Sequence, residues 1–194
     1  MELLMFSDQI NGFRETQKNF LRELLYGKTI AYIPSMSDYS REYFVRTKMF
    51  YDTFGAKDLF YVDVDEEYRQ SNDELVRAAD IIHLSGGKIT SFASNLYKRG
   101  YDRLLEGSLR CGKLLIGVSA GAIIMGPDLS IANIYEKDEG IERPRGLNFV
   151  NFHFAPHIDD YLEKLKKFKS AHSLMPCRDS EMIYVRDGRE RYIY

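Results

Sequence analysis

Lys113-Leu114-Leu115-Ile116-Gly117-Val118-Ser119-Ala120-Gly121-Ala122-Ile123-Ile124-Met125 passes from an apolar run of strand length, through glycine, serine and alanine, into a second apolar run. The pattern predicts a strand, a sharp turn at Ser119 and a helix. A serine in such a turn is lifted clear of a sheet edge and set at the amino end of a helix, where a nucleophile belongs. Gly117 and Gly121 remove the side chains that would crowd it. Small residues also let a helix pack closely on a strand, so the G-x-S-x-G run alone makes Ser119 a candidate and no more.

On either side of this stretch, apolar runs of strand length alternate with longer amphipathic stretches, the pattern of a mostly parallel sheet flanked by helices. Strands are expected at Leu3–Phe6, Thr29–Ile33, Leu59–Val64 and Asp80–Leu84, and helices over Phe13–Leu25, Tyr39–Phe54, Leu75–Ala79 and Thr90–Leu105. Beyond Ser119, strands are expected at Leu129–Ile134 and Asn148–Phe154, a helix over Asp160–Ala171, and a hairpin of Met182–Val185 with Arg191–Tyr194 around Asp187-Gly188. The polar segment Tyr135–Arg145 reads as a mobile loop beside the site. Ser85-Gly86-Gly87 is a second sharp turn, also at the carboxyl end of an expected strand, the edge of an open sheet where ligands gather.

With 194 residues, 44% hydrophobic and 29% charged, the chain suits one sizeable core, so residues 1–194 are expected to form a single domain. A formal net charge of −2, from 27 basic and 29 acidic residues, provides no electrostatic footprint for nucleic acid or a membrane surface. Cys111 and Cys177 make no disulfide framework, and both are expected to be reduced and partly buried. The opening residues lack a basic start and a long apolar core, and no apolar run approaches membrane-spanning length, so a cytoplasmic setting is expected.

A serine hydroxyl needs a base. His83 lies inside an apolar strand and reads as a core residue, and His172, near the end of a charged helix, as a terminal cation. His153 and His157 flank Phe154-Ala155-Pro156, and His157, past the strand and stiffened by Pro156, is better placed for a loop at the active edge. Their i, i+4 spacing lacks the helix and intervening glutamate of a zinc motif, so no metal or other cofactor is expected. Acyl transfer also needs amide donors for the developing oxyanion; Gly86 or Gly87 can supply one and Ala120 the other.

Leu84-Ser85-Gly86-Gly87, Gly117-Val118-Ser119-Ala120-Gly121-Ala122 and Asn151-Phe152-His153-Phe154-Ala155-Pro156-His157, in that order, resemble the peptidase E family of serine peptidases. These are relatives of cyanophycinase with a class I glutamine amidotransferase-like (flavodoxin-like) α/β fold. The resemblance implies Ser119 as nucleophile, His157 as general base, and the amides of Gly87 and Ala120 as oxyanion hole. Serine, where the amidotransferases carry cysteine, implies hydrolysis of a peptide or amide bond. For the orienting acid, Glu136 and Asp138 in the polar loop, Asp159 as in the amidotransferase pattern, and Asp179 as in cyanophycinase-like chains all stand as candidates.

The expectation is therefore a serine-type peptidase acting on small peptides as a dipeptidase or aminopeptidase, with an acidic amino-terminal residue implied by the resemblance. The segment Ile158-Asp159-Asp160-Tyr161-Leu162-Glu163 departs from peptidase E itself and weakens that last implication. A homodimer is a candidate assembly. An esterase of the α/β-hydrolase class and a non-catalytic binding module on the same fold are the alternatives.

Overall fold

The computed structural model describes residues 1–9, 12–137 and 144–194. Strands β1 (Glu2–Phe6), β2 (Thr29–Ile33), β3 (Asp58–Tyr61), β4 (Ile81–Leu84) and β5 (Leu114–Val118) run parallel, in the order β3-β2-β4-β5-β1. Strands β6 (Phe152–Ala155) and β7 (Ser173–Pro176) form a separate parallel pair. Strands β8 (Met182–Arg186) and β9 (Arg189–Ile193) extend the main sheet antiparallel beyond β1, making it seven-stranded. Counted from β2, the parallel strands follow the flavodoxin-like order 2-1-3-4, with the first strand of the chain filling the fifth place.

Alternation along each strand explains why helices cover both faces. Leu4, Phe6, Ile30, Tyr32, Leu114 and Ile116 point to one side and pack with Leu21 and Leu25 of α1 (Glu15–Leu25) and Tyr51 of α2 (Glu42–Thr53). Leu3, Met5, Ala31, Ile33, Ile82 and Leu115 point to the other. There they meet Val76 of α3 (Asn72–Ala78), Phe92 and Leu96 of α4 (Ile89–Lys98), Leu105 of α5 (Tyr101–Arg110) and Ala122 of α6 (Ala120–Ile123). Each such fully buried leucine or phenylalanine contributes about 1.5–3 kcal/mol. Among the described residues no helix is long and apolar enough to cross a membrane.

Several boundaries differ from the sequence-based expectation, each for a local reason. The stretch Thr90–Leu105 is split between α4 and α5, because Gly100 takes φ 73 and turns the chain. Leu129–Ile134 is not a strand. The Asp128 carboxylate accepts the Ser130 amide at 2.8 Å, and the amides of Ala132 and Ile134 bond three residues back, leading into the short helix α7 (Ala132–Tyr135). Only the end of Asn148–Phe154 is extended, since the amides of Leu147 and Phe149 bond to Ile124 and Met125 carbonyls and Asn148 has φ 55. Helix α8 (Ile158–Leu165) begins directly after His157 and stops short of Ala171. Strand β7, short and ending in proline, carried no period strong enough to predict it. Of the polar segment expected as a loop, Tyr135 ends α7, and 138–143 lie outside the described residues. Cys177 is buried, but Cys111 is exposed, against the expectation of partial burial.

Candidate active site

Parallel strands all exit at the same edge, so the residues after β1, β2, β4 and β5, namely Ser7, Ser35, Ser85-Gly86-Gly87 and Ser119, gather there. At Ser119 the chain passes from β5 into α6 with no intervening loop. Its amide donates to the Phe6 carbonyl at 2.9 Å, continuing the β1–β5 ladder, while its carbonyl accepts the amides of Ala122 and Ile123. Meeting both demands forces φ 47 and ψ −107, a region L-residues rarely occupy. The flanking glycines are steric requirements. A Cβ on Gly117 would lie 2.7 Å from the Ala122 nitrogen, and one on Gly121 only 2.2 Å from the Leu84 carbonyl oxygen. Close helix packing and exposure of the serine are thus one device. Helix α6 spans four residues, so it offers local amides rather than a long macrodipole.

Strands β6 and β7 end in register, Ala155 opposite Pro176, and their exits carry His157 and the 177–181 segment side by side. His157 itself takes φ 51 and starts α8. Its Nε2 lies 3.1 Å from Ser119 Oγ, and its Nδ1 lies 2.6 Å from Asp179 Oδ1. A carboxylate only accepts, so Nδ1 carries the proton and Nε2 is left to accept from the Ser119 hydroxyl. The imidazole is about a quarter exposed (27%) and the carboxylate about half (55%), so the array opens to solvent.

The second glycine turn runs alongside. A Cβ on Gly86 would sit 3.5 Å from Ser119 Cβ, and Gly87 has φ 131. The Ser85 carbonyl accepts the Gly121 amide at 3.0 Å, binding this turn to the elbow. Among the described residues neither the Gly87 nor the Ala120 amide donates to a backbone carbonyl.

Residues 3–193 match the profile of peptidase family S51. The chain belongs to peptidase family S51. The uncharacterized peptidase Lin0382 of Listeria innocua is 30% identical over 92% of this chain and 91% of its own length. The uncharacterized peptidase Lmo0363 of Listeria monocytogenes is 27% identical over 95% and 92%. A crystal structure of a Listeria monocytogenes EGD-e protein described as a peptidase E superposes with a TM-score of 0.80 at 22% identity, covering 98% of this chain and 96% of that one. A peptidase from an acI-B1 Actinobacterium gives 0.76 at 17%, covering 99% and 86%. At those identities the superpositions speak for the fold.

This S51 chain is accordingly a serine peptidase, and its other sequence candidates fall in different places. Of the four acids named, Asp179 faces the imidazole. The Glu136 carboxylate instead caps α4, accepting the amides of Ile89 and Thr90 and the Thr90 hydroxyl. Asp159 pairs with Arg178 at 3.3 Å, and Asp138 lies outside the described residues. His153 is buried, with Nε2 at 2.8 Å from Ser170 Oγ, Nδ1 unpartnered, and desolvation holding its pKa below the ordinary value. His83 is a core residue, its Nδ1 2.6 Å from the Tyr51 hydroxyl, with burial pushing its pKa down to about 3. His172 does not sit at a helix end as expected; it lies beyond α8 with Nδ1 3.2 Å from the Asn151 carbonyl. Cys177, two residues from Asp179, stays a thiol because burial pushes its pKa up to about 12.

One residue that touches this cluster escaped the sequence reading. Ser7, fully buried just past β1, donates to Asp179 Oδ1 at 2.6 Å and accepts the His157 amide at 2.7 Å. A small polar residue closing an apolar strand was the available signal, and it singles out nothing by itself.

Proposed function

We propose that this S51 peptidase hydrolyses short peptides through a Ser119 acyl-enzyme. The observation that carries the reading is the continuous line Ser119 Oγ, His157 Nε2, His157 Nδ1, Asp179 Oδ1, at 3.1 and 2.6 Å, along an open sheet edge. Ser119 Oγ attacks the peptide carbonyl carbon as His157 Nε2 takes the hydroxyl proton, and the amides of Gly87 and Ala120 receive the developing oxyanion. The imidazolium then gives its proton to the leaving amine. Water, deprotonated by the same imidazole, attacks the ester carbonyl, and the imidazolium returns that proton to Ser119 Oγ as the acyl–oxygen bond breaks and the acid leaves. Asp179 holds the tautomer and stabilises the imidazolium. Each oxyanion donor is worth roughly 3 kcal/mol of barrier.

Short substrates fit a site set at the edge of one compact sheet, where there is limited room for a folded protein. A fluorophosphonate probe tests the nucleophile: a covalent adduct on Ser119, absent from Ser119→Ala, supports the reading, and no adduct refutes it. A panel of dipeptides, isoaspartyl peptides and simple esters then sets the substrate class. Ester cleavage with no peptide cleavage would favour an esterase instead. Turnover of Asp-Xaa dipeptides above all others would establish the acidic amino-terminal preference.

A further inference from the structure

The end of β1 does more than complete the sheet. Phe6 and Ser7 together touch every member of the line of side chains at the edge. The Phe6 carbonyl holds the Ser119 amide at 2.9 Å, and the Ser7 hydroxyl lies between Asp179 and the main chain of His157. A serine hydroxyl has one proton to give and lone pairs to accept with. Ser7 gives its proton to Asp179 Oδ1, the same oxygen that faces His157 Nδ1, and accepts the His157 N–H. At 3.5 Å, its own approach to Nδ1 is too long to compete.

Asp179 has reason to need such a tether. Its side chain is 55% exposed and sits in a loop between β7 and β8, where a free carboxylate would exchange rotamers and water. Ser7 is fully buried and follows a strand paired on both sides, to β5 and to β8. Because β8 is antiparallel, with Met182 opposite Phe6, the segment entering β8 is delivered to the exit of β1. His157 has a parallel need, since its φ of 51 must be held for the imidazole to project toward Ser119. Resting on the reading of Ser119 and His157 given above, we propose that Ser7 is a positioning residue of the peptidase. It locks the Asp179 carboxylate and the His157 main chain to β1, so that the imidazole is held in the geometry and tautomer that hydrolysis requires.

The test measures fluorophosphonate labelling of Ser119 in a double-mutant cycle of Ser7→Ala and Asp179→Ala, alongside the proton spectrum of the folded proteins. Ser7→Ala is expected to slow labelling roughly tenfold to a hundredfold, the scale of a small misplacement of a reacting group. Most of that factor should vanish in the Asp179→Ala background, because the two residues act through one contact. The downfield N–H resonance of an imidazole shared with a carboxylate should be present in the parent and lost or shifted in Ser7→Ala. A lower melting temperature with unchanged labelling and resonance would overturn the proposal, as would the same slowing in both backgrounds. Ser7→Cys, of similar volume but a weak donor, carries the same comparison if the alanine variant does not fold. If the parent is not labelled at all, it is the nucleophile assignment that falls, and the resonance alone then decides for or against Ser7.

Discussion

Replacing Ser119 by glycine is expected to give a more stable protein than replacing it by alanine. Ser119 holds φ 47 and ψ −107, and confinement to such a region costs roughly 1–3 kcal/mol. Alanine keeps the Cβ and therefore the strain; glycine removes both. Glycine has its own penalty, about 0.5–1 kcal/mol, from the greater freedom of the unfolded chain. Both variants lose the Oγ–Nε2 hydrogen bond, so that term cancels between them. What remains is about 1 kcal/mol in favour of glycine, or roughly 2–4 °C in Tm for a chain of this size. Thermal unfolding of the two variants side by side, by circular dichroism and calorimetry, measures it, with fluorophosphonate labelling expected to be absent from both. A glycine variant melting at or below the alanine variant would show that the elbow stores no more strain than the roughly 0.5–1 kcal/mol that glycine itself costs, and the account of how the serine is presented would fail with it.

Asp179→Asn should lower kcat on the order of a hundredfold or more with the fold intact, because the amide NH₂ can donate to Nδ1 and leave the proton on Nε2, the wrong tautomer. Full activity would remove Asp179 from the site. Gly87→Ala places a Cβ 2.0 Å from Ser35 Oγ at a φ of 131, and strain with overpacking of roughly 2–4 kcal/mol should lower Tm and slow labelling together. Unchanged values would show the turn to be pliable. Acid should also destabilise the protein through His83, whose pKa burial lowers from 6.5 to about 3. The unfolded chain takes up a proton below pH 6.5 that the folded protein refuses, so this stability is complete above that pH and falls away below it, by about 2 kcal/mol at pH 5. Urea unfolding from pH 7 to 5 measures the slope, and His83→Leu should flatten it; an equal slope in both would contradict the assignment.

The parallel strands and the elbow were legible because their signals are local. Thr29-Ile30-Ala31-Tyr32-Ile33 is apolar on both faces, and β2 has the expected bounds. Gly117 and Gly121 mark the turn because a Cβ there would run into backbone, the Ala122 nitrogen and the Leu84 carbonyl oxygen, which cannot move aside as a side chain could. Where competing hydrogen bonds decide the matter, pattern reading failed. Leu129–Ile134 has strand composition, but the Asp128 carboxylate starts a turn that propagates into α7. The break between α4 and α5 hung on Gly100, a residue that a helical period can also tolerate.

The choice of acid was illegible for a different reason. Glu136, Asp159 and Asp179 are equally polar in sequence, and what separates them is which edge each reaches. Glu136 is drawn away by the free amides at the start of α4, and Asp159 lies in the first turn of α8 beside Arg178. Asp179 reaches the imidazole only because β6 and β7 end in register and β8 then enters against the exit of β1. Those are pairings between segments far apart in the chain, and no local period encodes them. The same geometry makes β1 the common support of the site: its last carbonyl fixes the elbow, and the hydroxyl that follows it holds both the acid and the imidazole backbone.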